Sequence, residues 1–149
     1  MTTKLSARNG SLYLEDSTNA SRSFSGYTST MTLMYNAEAT DVTGFGNSAR
    51  EFVIGGIKDW ELTCDGFWSS TANETAAVLD SIHHTANGST MFKLFPAGSI
   101  AGCPLYTACG LLTNHDVSMT ADGAATISLT VTARTGSLTR KTTIATDLT

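Results

Sequence analysis

The stretch from Lys58 to Trp68 constrains this chain most. Trp60, Leu62, Cys64 and Trp68 fall on one side of an alternation, with Asp59, Glu61, Thr63 and Asp65 on the other. A period of two is the mark of a β-strand with one face buried and one wetted. Phe67 breaks the pattern as an apolar residue on the wet side. Upstream, Asp41 to Ser48 reads as a glycine-punctuated loop. Arg50 to Ile54 reads as a strand leading into Gly55-Gly56, a pair that suits a tight turn or bulge. Nothing in this region looks like chemistry; it reads as a sheet with a loop held out from it.

The rest of the chain continues in the same manner. Leu12 and Leu14 alternate within a short strand over Ser11 to Glu15, and Asp16 to Arg22 is a polar turn. Thr28 to Tyr35 alternates again. Thr90 to Phe95 and Leu105 to Thr113 read as strands, the former ended by Pro96-Ala97-Gly98. Val117 to Ala121 and Ala125 to Ala133 flank Asp122-Gly123, a hairpin signal. In the second arm Ala125, Ile127, Leu129, Val131 and Ala133 oppose Thr126, Ser128, Thr130, Thr132 and Arg134.

One segment is helical. Thr71 and Glu74 have capping-box spacing, Thr75, Val78, Leu79 and Ile82 share a face, and Asn87-Gly88 supplies a stop. The expected helix spans about 72–85. Roughly eight strands and one helix imply a mainly β fold: an antiparallel β-sandwich or partly closed barrel with one flanking α-helix. The 149 residues read as a single domain, with a polar N-terminal arm over about 1–10 and a polar C-terminal tail over about 135–149.

Composition narrows the function. Charged residues are only 15% of the chain, against a usual quarter, so Thr, Ser and Asn supply the polar surface. A net charge of −4 with scattered basic residues argues against tight binding of duplex DNA. Cys64, Cys103 and Cys109 form an odd set without CxxC spacing, which fits reduced thiols better than a disulfide scaffold. No signal-peptide core follows Met1, and no apolar run approaches membrane-spanning length.

Candidate chemistry is sparse. His83-His84 would need partners at matching geometry for metal or base work, and histidines near a helix C-terminus are also favoured by the helix dipole. Cys103, Cys109 and His115 have no finger-like spacing. Asp59, Glu61 and Asp65 resemble a carboxylate site less than a solvated strand face. Trp60 and Trp68 share their face with Leu62 and Cys64, which favours core packing over a carbohydrate platform. No Walker, Gly-x-Ser-x-Gly or His-Glu-x-x-His motif occurs, so neither an enzyme, a cofactor nor a metal site is expected.

The order of several short motifs resembles a known family. The strand before Asp41-Val42-Thr43-Gly44-Phe45-Gly46 comes first, then Gly55-Gly56-Ile57-Lys58-Asp59-Trp60 and Cys64-Asp65-Gly66-Phe67. The helix, Phe95-Pro96-Ala97-Gly98 and a final hairpin ending near Gly136 complete it. This order is similar to that of tail tube (major tail) proteins of long-tailed, siphovirus-like bacteriophages, over about Leu12 to Arg140.

The resemblance implies a structural virion protein without catalytic residues. Its subunits would form hexameric rings that stack into a tube for genome passage into the host. Implied partners are other copies of itself and the tape measure, tail tip and terminator proteins. DNA would be passing cargo, no membrane would be involved, and the virion tail would be assembled in the bacterial cytoplasm. The loop Asp41, Val42, Thr43, Gly44, Phe45, Gly46, Asn47 and Ser48 is the expected contact between rings. Asp59, Glu61 and Asp65 are candidate channel-lining residues, because like charge would keep DNA from sticking. The neutral Thr126, Ser128, Thr130 and Thr132 face is a rival lining. Alternative readings are a tail terminator, head–tail joining or capsid decoration protein, and beyond those a carbohydrate-binding β-sandwich.

Overall fold

The computed structural model describes residues 10–24, 26–98, 101–134 and 138–142. Its elements in chain order are β1 (Ser11–Glu15), β2 (Ser21–Ser23), β3 (Thr28–Asp41), β4 (Phe52–Phe67), α1 (Thr75–His84), β5 (Ser89–Phe95), β6 (Pro104–Ser118), β7 (Thr126–Ala133) and β8 (Thr139–Thr142). The strands make one antiparallel sheet in the order β2-β1-β5-β6-β7-β4-β3, with β8 also on β6. The mainly β class with one helix therefore holds. Among the described residues the strands belong to a single sheet that hydrogen bonds do not close into a barrel.

The sheet nevertheless curls. Strands β4 and β5 are three steps apart in the order, which in a flat sheet is about 14 Å. The Trp60 and Phe92 rings on those strands lie 5.0 Å apart, and Tyr35 on β3 reaches within 6.4 Å of Tyr106 on β6. Trp60 has room because it lies over Gly110. A Cβ there would sit 2.5 Å from Val131 Cγ1 and 2.7 Å from Trp60 Cη2. At the other end of β4 the Phe67 amide donates to the Tyr27 carbonyl at 2.6 Å, directly against Gly66, where any Cβ would overlap that oxygen.

The inner curve is the core. Leu12, Leu14, Trp60, Leu62, Cys64, Phe92, Ala108, Leu112, Ile127, Leu129 and Val131 meet Val78, Leu79 and Ile82 of α1 there, as the alternations require. The helix starts at Thr75, three residues later than expected, because the Thr71–Glu74 capping box does not form. Glu74 takes the N-cap position without a side-chain cap bond. Its carboxylate instead accepts from the Ser69 and Tyr27 hydroxyls, which hold its pKa below the ordinary value. Thr75 is buried and accepts the Ser69 amide at 2.8 Å. The C-terminal stop does form: Asn87 and Gly88 take φ of 52° and 78°, and the Gly88 amide closes on the Ile82 carbonyl at 2.8 Å.

Several boundaries differ from the alternation reading. The expected strands over Arg50–Ile54 and Lys58–Trp68 merge into one, trimmed to Phe52–Phe67, and Gly55-Gly56 fall inside it. The register slips between Ala37↔Lys58 and Ala39↔Ile54, so the glycines mark a bulge. The stretch 105–113 and the first two residues of 117–121 likewise join as β6, which ends at Ser118, with a slip between Leu112 and Asn114. Trp68 leaves the core face, being 41% exposed just past the end of β4. The expected C-terminal tail is partly structured: Leu138 packs on the core and β8 pairs with Pro104–Thr107. The expected N-terminal arm over 1–10 lies almost wholly outside the described residues.

Candidate assembly interface

Strands β3 and β4 are much longer than the body that supports them. Strand β7 pairs with β4 only over Glu61–Phe67, so among the described residues no strand pairs with the rest of β4 on that side. Every described residue from Met34 to Val53 is exposed. The ribbon carries apolar side chains into solvent all the same: Met34, Tyr35, Val42, Phe45, Phe52 and Val53.

The predicted contact loop, Asp41 to Ser48, is the tip of this ribbon, and its own sequence shapes it. The Asp41 carboxylate accepts the Thr43 hydroxyl and, at 2.9 Å, the Thr43 amide. Those bonds hold the Asp41 pKa below the ordinary carboxylate value. The Thr43 hydroxyl in turn accepts the Glu51 amide at 2.9 Å, and the Val42 amide reaches the Glu51 carbonyl at 2.9 Å. A turn follows, in which the Asn47 amide donates to the Gly44 carbonyl at 3.3 Å with Gly46 at φ 92°. A positive φ at that position is a type II requirement, met by glycine. The corner residue, Phe45, is thereby thrust fully into water.

The second set of predicted residues lies on the sheet face opposite the helix. Antiparallel partners point to the same face, so register settles which residues share it. Glu61 pairs with Met34 and Thr132, Thr63 with Thr130, and Asp65 with Thr30 and Ser128. Ser128 in turn pairs with Asp116. The acidic row and the Thr126–Thr132 row, read from sequence as rivals, are therefore adjoining parts of one face. Asp59, Glu61, Asp65 and Asp116 give it acidic character. Among the described partners β3 and β7 contribute only Thr, Ser, Asn and Met beside Asp59, Glu61 and Asp65.

The other candidates disperse. Cys109 pairs with Met91, while His115 pairs with core-facing Leu129, so the two fall on opposite faces of β6. Burial pushes the Cys64 thiol up to about 12, with the nearby Asp65 charge adding to it, which leaves it protonated. His83 and His84 form the last turn of α1, and His83 approaches His115 at 5.9 Å. Among the described residues no group of three or more His, Cys, Asp or Glu is placed to hold a metal ion. Trp60 is 1% exposed and Trp68 41%, so the two offer no shared surface to a sugar. Among the described residues no helix is long and apolar enough to cross a membrane.

No family model matches the sequence, and no curated protein does. Solved structures do. A chain of the SPP1 tail tube is 11% identical with a TM-score of 0.74, over 96% of this chain and 82% of that one. This is the tail tube fold. A chain from the tail of an empty gene transfer agent (GTA) particle, refined with C6 symmetry, is 14% identical with a TM-score of 0.72, over 95% and 100%. The tail tube fold also occurs in the anti-feeding prophage baseplate, in a chain 10% identical with a TM-score of 0.65, over 95% and 98%. These chains are parts of tails and related assemblies.

What the sequence reading missed is the rest of the ribbon. It placed the projecting element at Asp41–Ser48 alone, whereas the exposure starts at Met34 and runs to Val53. The signal was available in Phe52 and Val53, adjacent apolar residues that no single buried face of a strand can cover together.

Proposed function

We propose that this chain is the repeating subunit of a phage-type tail tube. Hexameric rings stack through the β3–β4 ribbon and enclose a channel for the genome. The observation that carries this reading is a ribbon exposing Phe45, Phe52 and Val53 on a tail tube fold. A monomer gains nothing from such a ribbon, whereas a neighbouring copy would bury it. The C6 symmetry of the gene transfer agent tail supports six subunits per ring.

The acidic open face around Asp59 and Glu61 is the channel lining we favour, since phosphates are repelled and slide. In this reading the subunit sits in the virion tail after assembly in the host cytoplasm. Its partners are its own copies and the tape measure, tip and terminator proteins. The subunit has no catalytic role. Negative-stain electron microscopy of the concentrated protein is the test, and hollow stacked tubes are the expected result. The anti-feeding prophage baseplate and its tube-terminating cap share the fold and favour a second reading, a ring-forming terminator or baseplate part. Single closed rings that never stack would select it.

A further inference from the structure

The end of the sheet opposite the ribbon tip also carries exposed apolar residues. Phe67 ends β4 there with Trp68 just beyond it, and Val117 and Met119 flank the last residue of β6. On the open face beside them is a recess of about 360 Å³. Its lining includes Ser29, Asp65, Phe67, Asp116, Thr126 and Ser128, and no lysine or arginine. Asp65, Ser128 and Asp116 stand in one row across β4, β7 and β6. Two strand spacings separate the carboxylates, about 10 Å, so a cation between them would meet both.

We propose that this recess receives the Asp41–Ser48 loop of a second copy of the chain. Phe45 seats against Phe67, and Arg50, exposed at the base of the same loop, answers Asp65 and Asp116. The inference rests on the tube reading and deepens it by naming the receptor of the tip. Three observations favour a second copy as the occupant. The tip offers the apolar residue and the cation, and the recess offers the apolar wall and the anions. The two lie at opposite ends of one strand, Phe52–Phe67, roughly 50 Å apart. A contact between unlike patches leaves a free tip and a free recess after each docking, and with the two at opposite ends of one strand it can repeat along the strand direction as an open stack.

The test uses the full chain in three forms, each checked for an unchanged melting temperature: wild type, Arg50→Glu and Asp116→Arg. Wild type is expected to form tubes. Each single variant is expected to lose them, and an equimolar mixture of the two to regain them, because reversed charges then meet reversed charges. Phe45→Ala is expected to raise the protein concentration needed for tubes by about tenfold or more, the effect of truncating an apolar anchor. Tubes from both single variants at the wild-type concentration would overturn the docking and leave the tube reading standing. Loss in both without recovery in the mixture would overturn the pairing of Arg50 with this recess. A wild type that forms no tube, alone or with tail-tip complexes, would overturn both readings.

Discussion

The two halves of the β3–β4 ribbon are built from the same pair of strands and differ in what stands behind them. In the proximal half Trp60, Leu62 and Cys64 are buried, and β7 pairs along Glu61–Phe67. In the distal half, beyond the bulge, the described residues of both arms are in water, and Phe52 and Val53 are half exposed. An isolated two-stranded ribbon is marginal in water. The proximal half is thus stabilised by its own chain, and the distal half is shaped to be stabilised by another molecule. Folding and assembly are separated along a single strand.

The sharpest way to break this contrast is to compare substitutions within β4. Trp60→Ala removes a ring packed on Phe92 and over Gly110, and is expected to cost about 3–5 kcal/mol of stability in urea unfolding. Phe52→Ala, eight positions away in the same strand, is expected to cost about 0.5 kcal/mol or less in the monomer. Equal costs would mean that the distal half is supported within the monomer.

Deleting Asp41–Ser48 and closing the ribbon with a short turn is expected to shift the melting temperature by a few degrees at most. By electron microscopy it should abolish long tubes. Long tubes from the deletion would place the stacking contact elsewhere.

A third comparison concerns Asp16, at the opposite edge of the sheet, whose local structure closes without a partner. Burial alone would raise its carboxyl pKa. Bonds from the Thr18 hydroxyl, the Arg22 guanidinium at 2.8 Å and the Ala20 and Thr18 amides outweigh burial and hold it well below the usual range. A depressed folded-state pKa contributes stability at pH values above the unfolded value of about 4, lost as pH falls below it. Asp16→Asn is expected to cost about 1 kcal/mol at pH 7, roughly 2–4 °C, and progressively less below pH 4. An unchanged loss at low pH would remove the ion pair from the account.

The smallest effect is chemical. Thiol reagents should reach half-buried Cys103 and Cys109 in the native protein, and Cys64 only on unfolding. Rapid native labelling of Cys64 would show that the proximal half opens as readily as the distal one.

Much of this was legible because burial writes itself as alternation. The β4 face, the β7 face and α1 all follow from apolar spacing. The capping box was misread because Glu74 has better partners in Tyr27 and Ser69, and Tyr27 is 47 residues away, beyond any local pattern. Trp68 was misplaced because alternation says nothing of where a strand leaves the sheet. The tail was misread because a short polar stretch such as Thr139–Thr142 gains its structure from the free edge of β6.

By itself the sequence determined the class: a β protein low in charge, one helix, a loop shaped by Asp41, Thr43 and Gly46, and no motif of catalysis. Each of these depends on neighbours within a few residues. Only the tertiary structure decided that the acidic and threonine rows adjoin, that half of a long ribbon stands free, and that a recess lies at its far end. Those facts depend on register and sheet curvature, which are set by pairing between residues distant in the chain, and no local spacing encodes them.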